Sequence, residues 1–160
     1  MGIRNAKLGG SDFNSGESPV ASADVNDTFD AALLQHIASD QTGGSKANQG
    51  EAEIGEVEIP ANKIGTGVLV IATGKVRSSS GNTGTIKLYG GTNATAIGNN
   101  TIFKTITRDP ADGKESGWTL TFWIDSLTWS SLNYINITGN NSEASGSAVV
   151  TCESIVVFGK

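Results

Sequence analysis

Between Val68 and Ala72 the chain reads Val-Leu-Val-Ile-Ala, five apolar positions without a break. Successive side chains of a strand point to opposite faces, so this run puts apolar groups on both sides of its sheet and requires cover for each. The rest of the sequence supplies little for that purpose. Hydrophobic residues are 37% of the 160 and charged residues only 17%, with 21 glycines and an abundance of Ser, Thr and Asn. A composition of that kind belongs to a β-rich protein with many turns, whose surface is hydroxyl and amide rather than ionic.

From about Ala52 onward the hydrophobic pattern has a period of two. In GWTLTFWIDS, Trp118, Leu120, Phe122 and Ile124 share one face, while Thr119, Thr121, Trp123 and Asp125 share the other. Strands are expected in AEIGEVEI, GVLVIATGKVR, TGTIKLYG, TIFKTITR, GWTLTFWIDS, LNYINIT and SAVVTCESIVVF, about seven or eight in all. Turn-forming stretches separate them: SSSGNTG, GGTNATAIGNN, DPADGKESG and GNNSEASG. Short strands at this spacing with no helices between them imply a mainly β fold, an antiparallel β-sandwich of jelly-roll type over residues 52–160. No internal repeat is visible, which disfavours a solenoid or propeller.

Upstream the pattern changes. Residues 1–21 carry Ile3, Leu8 and Phe13 at no useful period and are expected to form an extended attachment arm. In 22–42, Val25, Phe29, Leu33 and Ile37 recur every four residues, with Ser22 or Asp24 at the N-cap position, so one short amphipathic helix is expected. Its apolar stripe has no partner in its own segment, and closing against copies of itself would provide one. Residues 43–51, rich in Gly, Ser, Asn and Gln, are expected to be a linker.

The formal net charge of -5 offers no electrostatic footprint for nucleic acid or an anionic membrane surface. No run approaches the length of a membrane span or of the apolar core of a secretory signal, and the expectation is a chain made soluble inside the cell. The lone histidine, His36, has no second histidine to converge with, and Cys152 sits in an alternating apolar segment where burial is expected. Asp109, Asp112 and Glu115 form the densest acidic cluster of the β region, yet their spacing is not that of a calcium loop, and they read as a solvated turn with a weak claim on a metal. Neither a cofactor nor a catalytic constellation is indicated. The remaining feature is aromatic: Trp123, Trp129 and Tyr134 fall within a short span and suit either a subunit interface or a host-surface glycan. Loops around Asn93–Asn100 and Asn140–Ser145 are the candidates for host contact.

Two stretches carry a resemblance. VEIPANKIGTGVLVIATGKV and TIKLYGGT, with Pro60, Ala61, Asn62, Gly74, Ile86, Leu88, Gly90, Gly91 and Thr92, are similar to the opening of β-sandwich domains in bacteriophage virion structural proteins of tail-fibre, head-fibre and capsid-decoration type, and ASADVNDTFDAALL, with Ala23, Asp24, Asn26, Asp27, Thr28 and Phe29, resembles the short helix that often precedes such domains. That resemblance covers about two thirds of the chain. It implies a non-enzymatic, oligomeric virion component, commonly a homotrimer, held to other virion proteins by its N-terminal arm and displaying the sandwich as a head. Two other classes fit the same composition. One is a carbohydrate-binding module, and the other an extracellular filament subunit assembled by N-terminal strand donation.

Overall fold

The computed structural model describes residues 34–78, 83–142 and 148–160. Nine strands are found there: β1 (Gln35–Asp40), β2 (Gly44–Ala47), β3 (Gly50–Ile59), β4 (Val68–Arg77), β5 (Gly84–Gly91), β6 (Thr101–Arg108), β7 (Glu115–Ile124), β8 (Asn133–Asn141) and β9 (Val149–Gly159). The seven segments named from the sequence correspond to β3 through β9.

The strands form two sheets. One runs β1-β9-β4-β7, with β2 also paired to β9, and the other runs β3-β8-β5-β6. Every strand pairing whose register is resolved is antiparallel. Leaving β1 aside, the orders β2-β9-β4-β7 and β3-β8-β5-β6 are those of an eight-stranded jelly roll, in which consecutive strands mostly alternate between sheets. The unit from His36 to Gly159 holds this sandwich. Its core is built from the inward positions of both sheets, among them Val68, Val70, Ala72, Leu120, Ile124, Ile155 and Val157 on one side and Ile54, Ile86, Leu88, Ile135 and Ile137 on the other.

The expected helix over 22–42 requires correction where the structure describes it. Residues 35–40 are strand β1, and the expected linker contains β2 and the start of β3. The reason is tertiary. Strand β9 has β4 on one side, and its other edge would leave a row of unpaired amides and carbonyls; β1 and β2 satisfy them. Ile37 keeps its apolar environment, packing against the core beside Gly159, where an added Cβ would stand 2.8 Å from Ile37 Cγ1. Between β1 and β2 the Asp40 carboxylate accepts from the Thr42 amide at 2.9 Å and from its hydroxyl at 2.6 Å, and Gly43 turns at a φ of 61°. Val25, Phe29 and Leu33 lie outside the described residues.

One contact ties three strands together. The Trp118 ring on β7 crosses the face of β4 at Gly74, and its Nε1 donates to the Thr151 carbonyl of β9 at 3.1 Å. A Cβ at Gly74 would lie 2.5 Å from Trp118 Cζ2 and 2.0 Å from Thr151 O, so no other residue fits there. The pairing of β4 with β9 slips by one residue at this point, between Thr73 and Gly74. Gly117, by contrast, is exposed and meets nothing nearer than the Gly74 carbonyl at 3.9 Å. Gly74→Ala is expected to lower the unfolding free energy by about 1–3 kcal/mol or more through overpacking. Gly117→Ala should leave it within about 1 kcal/mol of the wild type. Chemical denaturation of the two variants checks the difference.

Candidate assembly face

The alternation along β4 assigns its residues to two faces. Val68, Val70, Ala72 and Val76 are buried in the sandwich, whereas Leu69, Ile71 and Thr73 stand half-buried on the outside, followed by exposed Lys75 and Arg77. Pairing places like neighbours beside them. Leu69 lies opposite Trp123 of β7 and Phe158 of β9; Ile71 lies opposite Thr121 and Val156; Thr73 lies opposite Thr119 and Ser154. Lys75 then pairs with Gly117 and Thr151, and Arg77 with Glu115 and Val149.

The outer face of this sheet is therefore graded along its strands. At one end Trp123, Leu69 and Phe158 form an apolar row, extended by His36 of β1, whose ring meets Phe158 edge-on at a centroid distance of 6.0 Å. Ile71 and Val156 continue it. The middle is hydroxyl, with Thr73 Oγ1 and Ser154 Oγ 2.9 Å apart. The far end is ionic, with Lys75 Nζ 2.9 Å from Glu153 Oε1 and with Arg77 opposite Glu115. Trp123, at 39% exposure, is the large aromatic left most open on this face. The unbroken run at 68–72 was the sequence signal for it, and the Ile155-Val156-Val157-Phe158 run, read above only as part of an alternating segment, carries the same signal.

The outer face of the other sheet has a different character. Glu51 on β3 is surrounded by donors: Lys87 Nζ at 2.6 Å, Thr138 Oγ1 at 2.6 Å and Tyr89 Oη at 2.8 Å. Burial pushes the Glu51 carboxyl up, but the bonds donated by Lys87, Thr138 and Tyr89 outweigh it and hold the group below the ordinary carboxylate range. The connection between β5 and β6 folds down onto the same face. The Ala96 amide donates to Glu53, and buried Asn136 donates from Nδ2 to Glu56 Oε2 at 2.9 Å and to the Ala94 carbonyl at 3.0 Å. Around Glu51, Glu53 and Glu56 this surface meets its own hydrogen-bonding needs.

The candidate residues separate accordingly. Trp123 is on the outer face of the β4 sheet, and Tyr134 is on that of the β8 sheet, opposite Glu58 and Gly91. Trp129, in the β7–β8 connection, packs against the core with its indole nitrogen buried, and its carbonyl accepts from the Asn62 amide at 2.8 Å. The three aromatics thus form no common platform. Asp109 and Asp112 lie in the turn before β7 and Glu115 begins that strand; among the described residues no group of three or more His, Cys, Asp or Glu side chains converges to hold a metal. His36 belongs to a strand and an aromatic contact. The Asn93–Asn100 loop follows β5 and the Asn140–Ser145 segment ends β8, so they fall at opposite ends of the sandwich; residues 143–145 lie outside the described ones.

Cys152 is buried in the core, and burial, with the Asp40 charge adding to it, pushes the thiol up to about 12. Against an ordinary value of 9.0 this leaves about a thousandfold less thiolate, and a maleimide at pH 8 is expected to label the native protein slower than the denatured chain by that order. For Glu51 the lowered value means that its contribution to stability is present above the unfolded carboxylate range and lost as pH falls through the folded value. Glu51→Gln should therefore cost about 1–2 kcal/mol at pH 7 and progressively less toward pH 3, measured by denaturation at each pH.

No protein-family model matches the sequence, and no curated protein matches it. Solved structures do. The TNF protein Eiger from S. frugiperda is similar over 80% of this chain and 92% of its own, with 10% identity and a TM-score of 0.51. The Gt strain of infectious bursal disease virus contains a chain similar over 79% of this one, with 15% identity and a TM-score of 0.50, of which this chain spans 32%. A chain from the Bacillus endospore appendages, described as disulfide-linked pili, scores 0.42 with 16% identity over 80% of this chain and 90% of its own. At these identities the first two likenesses are of fold, a two-sheet antiparallel sandwich.

Proposed function

We propose that this protein is a non-enzymatic structural component of a virus particle, a short bacteriophage appendage or decoration that assembles as a homotrimer and displays its jelly-roll head. The observation that carries this reading is the outer face of the β1-β9-β4-β7 sheet, where Leu69, Ile71, Val156, Phe158 and Trp123 gather on three adjacent strands. Apolar surface of this kind, rimmed by hydroxyls and charges, is the anatomy of a protein interface: apolar centre, polar rim, aromatic anchor.

Charge favours a second copy as the partner. A chain with a net charge of -5 repels its copies over most of its surface. On the outer face of the β4 sheet, however, Lys75 and Arg77 balance Glu115 and Glu153, whereas the β3-β8-β5-β6 sheet carries Glu51, Glu53, Glu56 and Glu58 against Lys87 and exposed Lys104. Copies therefore approach most easily across the balanced, apolar face. Residues 1–21 serve as the attachment arm to other virion proteins, and Val25, Phe29 and Leu33 add self-contacts upstream of the head. Ile37, the fourth residue of that stripe, is partly buried against the core, and we assign the self-contacts to the other three.

Light scattering on the full chain should give three times the 16.5 kDa of one chain. Ile71→Lys, which puts a charge in the centre of the face without touching the core, should yield monomers that unfold within a few degrees of the wild type. A wild type that stays monomeric at the highest concentrations tested overturns the reading, as does an Ile71→Lys variant of unchanged mass.

A further inference from the structure

We infer that the copies meet with like ends together, around an axis that runs along the strands of the β4 sheet, and not in the reversed arrangement of a twofold axis perpendicular to it. This inference rests on the reading that copies meet across that sheet, and it follows from the grading of the face.

Five successive outward rows run from Trp123-Leu69-Phe158 through Thr121-Ile71-Val156, Thr119-Thr73-Ser154 and Gly117-Lys75-Thr151 to Glu115-Arg77-Val149. At two residues per row they span roughly 27 Å. Reversal would lay the first row of one copy against the last row of the other. The Trp123, Leu69 and Phe158 side chains would then cover Arg77 and Glu115 without replacing the water those charges lose, and half-buried Val149 is all the apolar surface that row would offer in return.

With like ends together, each row meets its own kind. Apolar rows close on apolar rows, and the Thr and Ser hydroxyls of the middle row, each both donor and acceptor, pair with one another. The ionic rows carry Lys75 and Arg77 on the central strand and Glu115 and Glu153 on the strands either side, so neighbouring copies offer opposite charges at the same level. Nothing in the face favours reversal.

The arrangement has a consequence for display. His36 lies beside Phe158 in the first row, so each chain enters its head at the apolar end. All copies then present the start of β1 at the same end. The ends of β4, β6 and β8 all lie at the other.

A photoreactive benzophenone amino acid in place of exposed Thr121 tests this in the full chain. Irradiating mixed isotope-labelled and unlabelled copies identifies adducts between copies by mass spectrometry. The expected adducts fall on His36, Leu69, Ile71, Trp123, Val156 or Phe158 of the neighbour, and the same label at Gly117 should reach Lys75, Arg77, Thr151 or Glu153. Adducts from Thr121 to the Lys75–Arg77 end would overturn the orientation and leave assembly across the sheet standing. An oligomer whose adducts avoid this face altogether, or a chain that stays monomeric without adducts, would overturn both.

Discussion

Strand β4 has both hydrogen-bonding edges occupied, by β7 and β9, and apolar residues on both faces. A strand so placed cannot be relieved by water on either side, and the surrounding structure is arranged around that constraint. Its inner face takes the core of the sandwich. Its partner β9 is apolar on both faces as well, and the edge strands β1 and β2 complete β9 on the side away from β4. Where the β4–β9 ladder slips at Gly74, the Trp118 indole spans the irregularity and takes the Thr151 carbonyl as its acceptor. The local fault in pairing becomes a three-strand tie, with a glycine as the condition for it.

The two outer faces show what it means for a surface to be complete. On the β8 sheet, Glu51, Glu53 and Glu56 are paired within the chain with amides, hydroxyls and Lys87, and the loop after β5 is drawn down over them by Glu53, Glu56 and Asn136. Such a surface gains little from a partner, because a partner would have to replace bonds already made. On the β4 sheet the outward apolar groups have only each other. Covering them removes apolar area from water at about 25 cal/mol per Å², with few polar groups to desolvate near the centre.

The jelly roll by itself assigns no role. A TNF protein and a chain of infectious bursal disease virus are similar to this protein in fold at only 10% and 15% identity. Sandwiches host many functions, so the functional reading here rests on side chains: which face is apolar, which is satisfied, and how charge is distributed over them.

Much of this was legible in the sequence, and the limit is physical. A period of two is a local property, so the segments that became β3 to β9, the inward set Trp118, Leu120, Phe122 and Ile124, and the double-sided run at 68–72 could all be read residue by residue. The burial of Cys152 followed from the same alternation. What depended on contacts far apart in the chain could not be read that way. Residues 35–40 fit a helical stripe in isolation and became a strand because the distant edge of β9 required one. Trp123, Trp129 and Tyr134 are close in sequence, yet the pairing of β7 and β8 puts Trp123 and Tyr134 on the outer faces of different sheets, and Trp129, in the connection between them, packs against the core. Period and turn chemistry determined that this chain makes strands and which residues each strand turns inward. The tertiary structure alone decided which strands pair, and hence that the outward apolar residues of β4, β7 and β9 form one face, because strand pairing is a long-range choice and side-chain alternation is not.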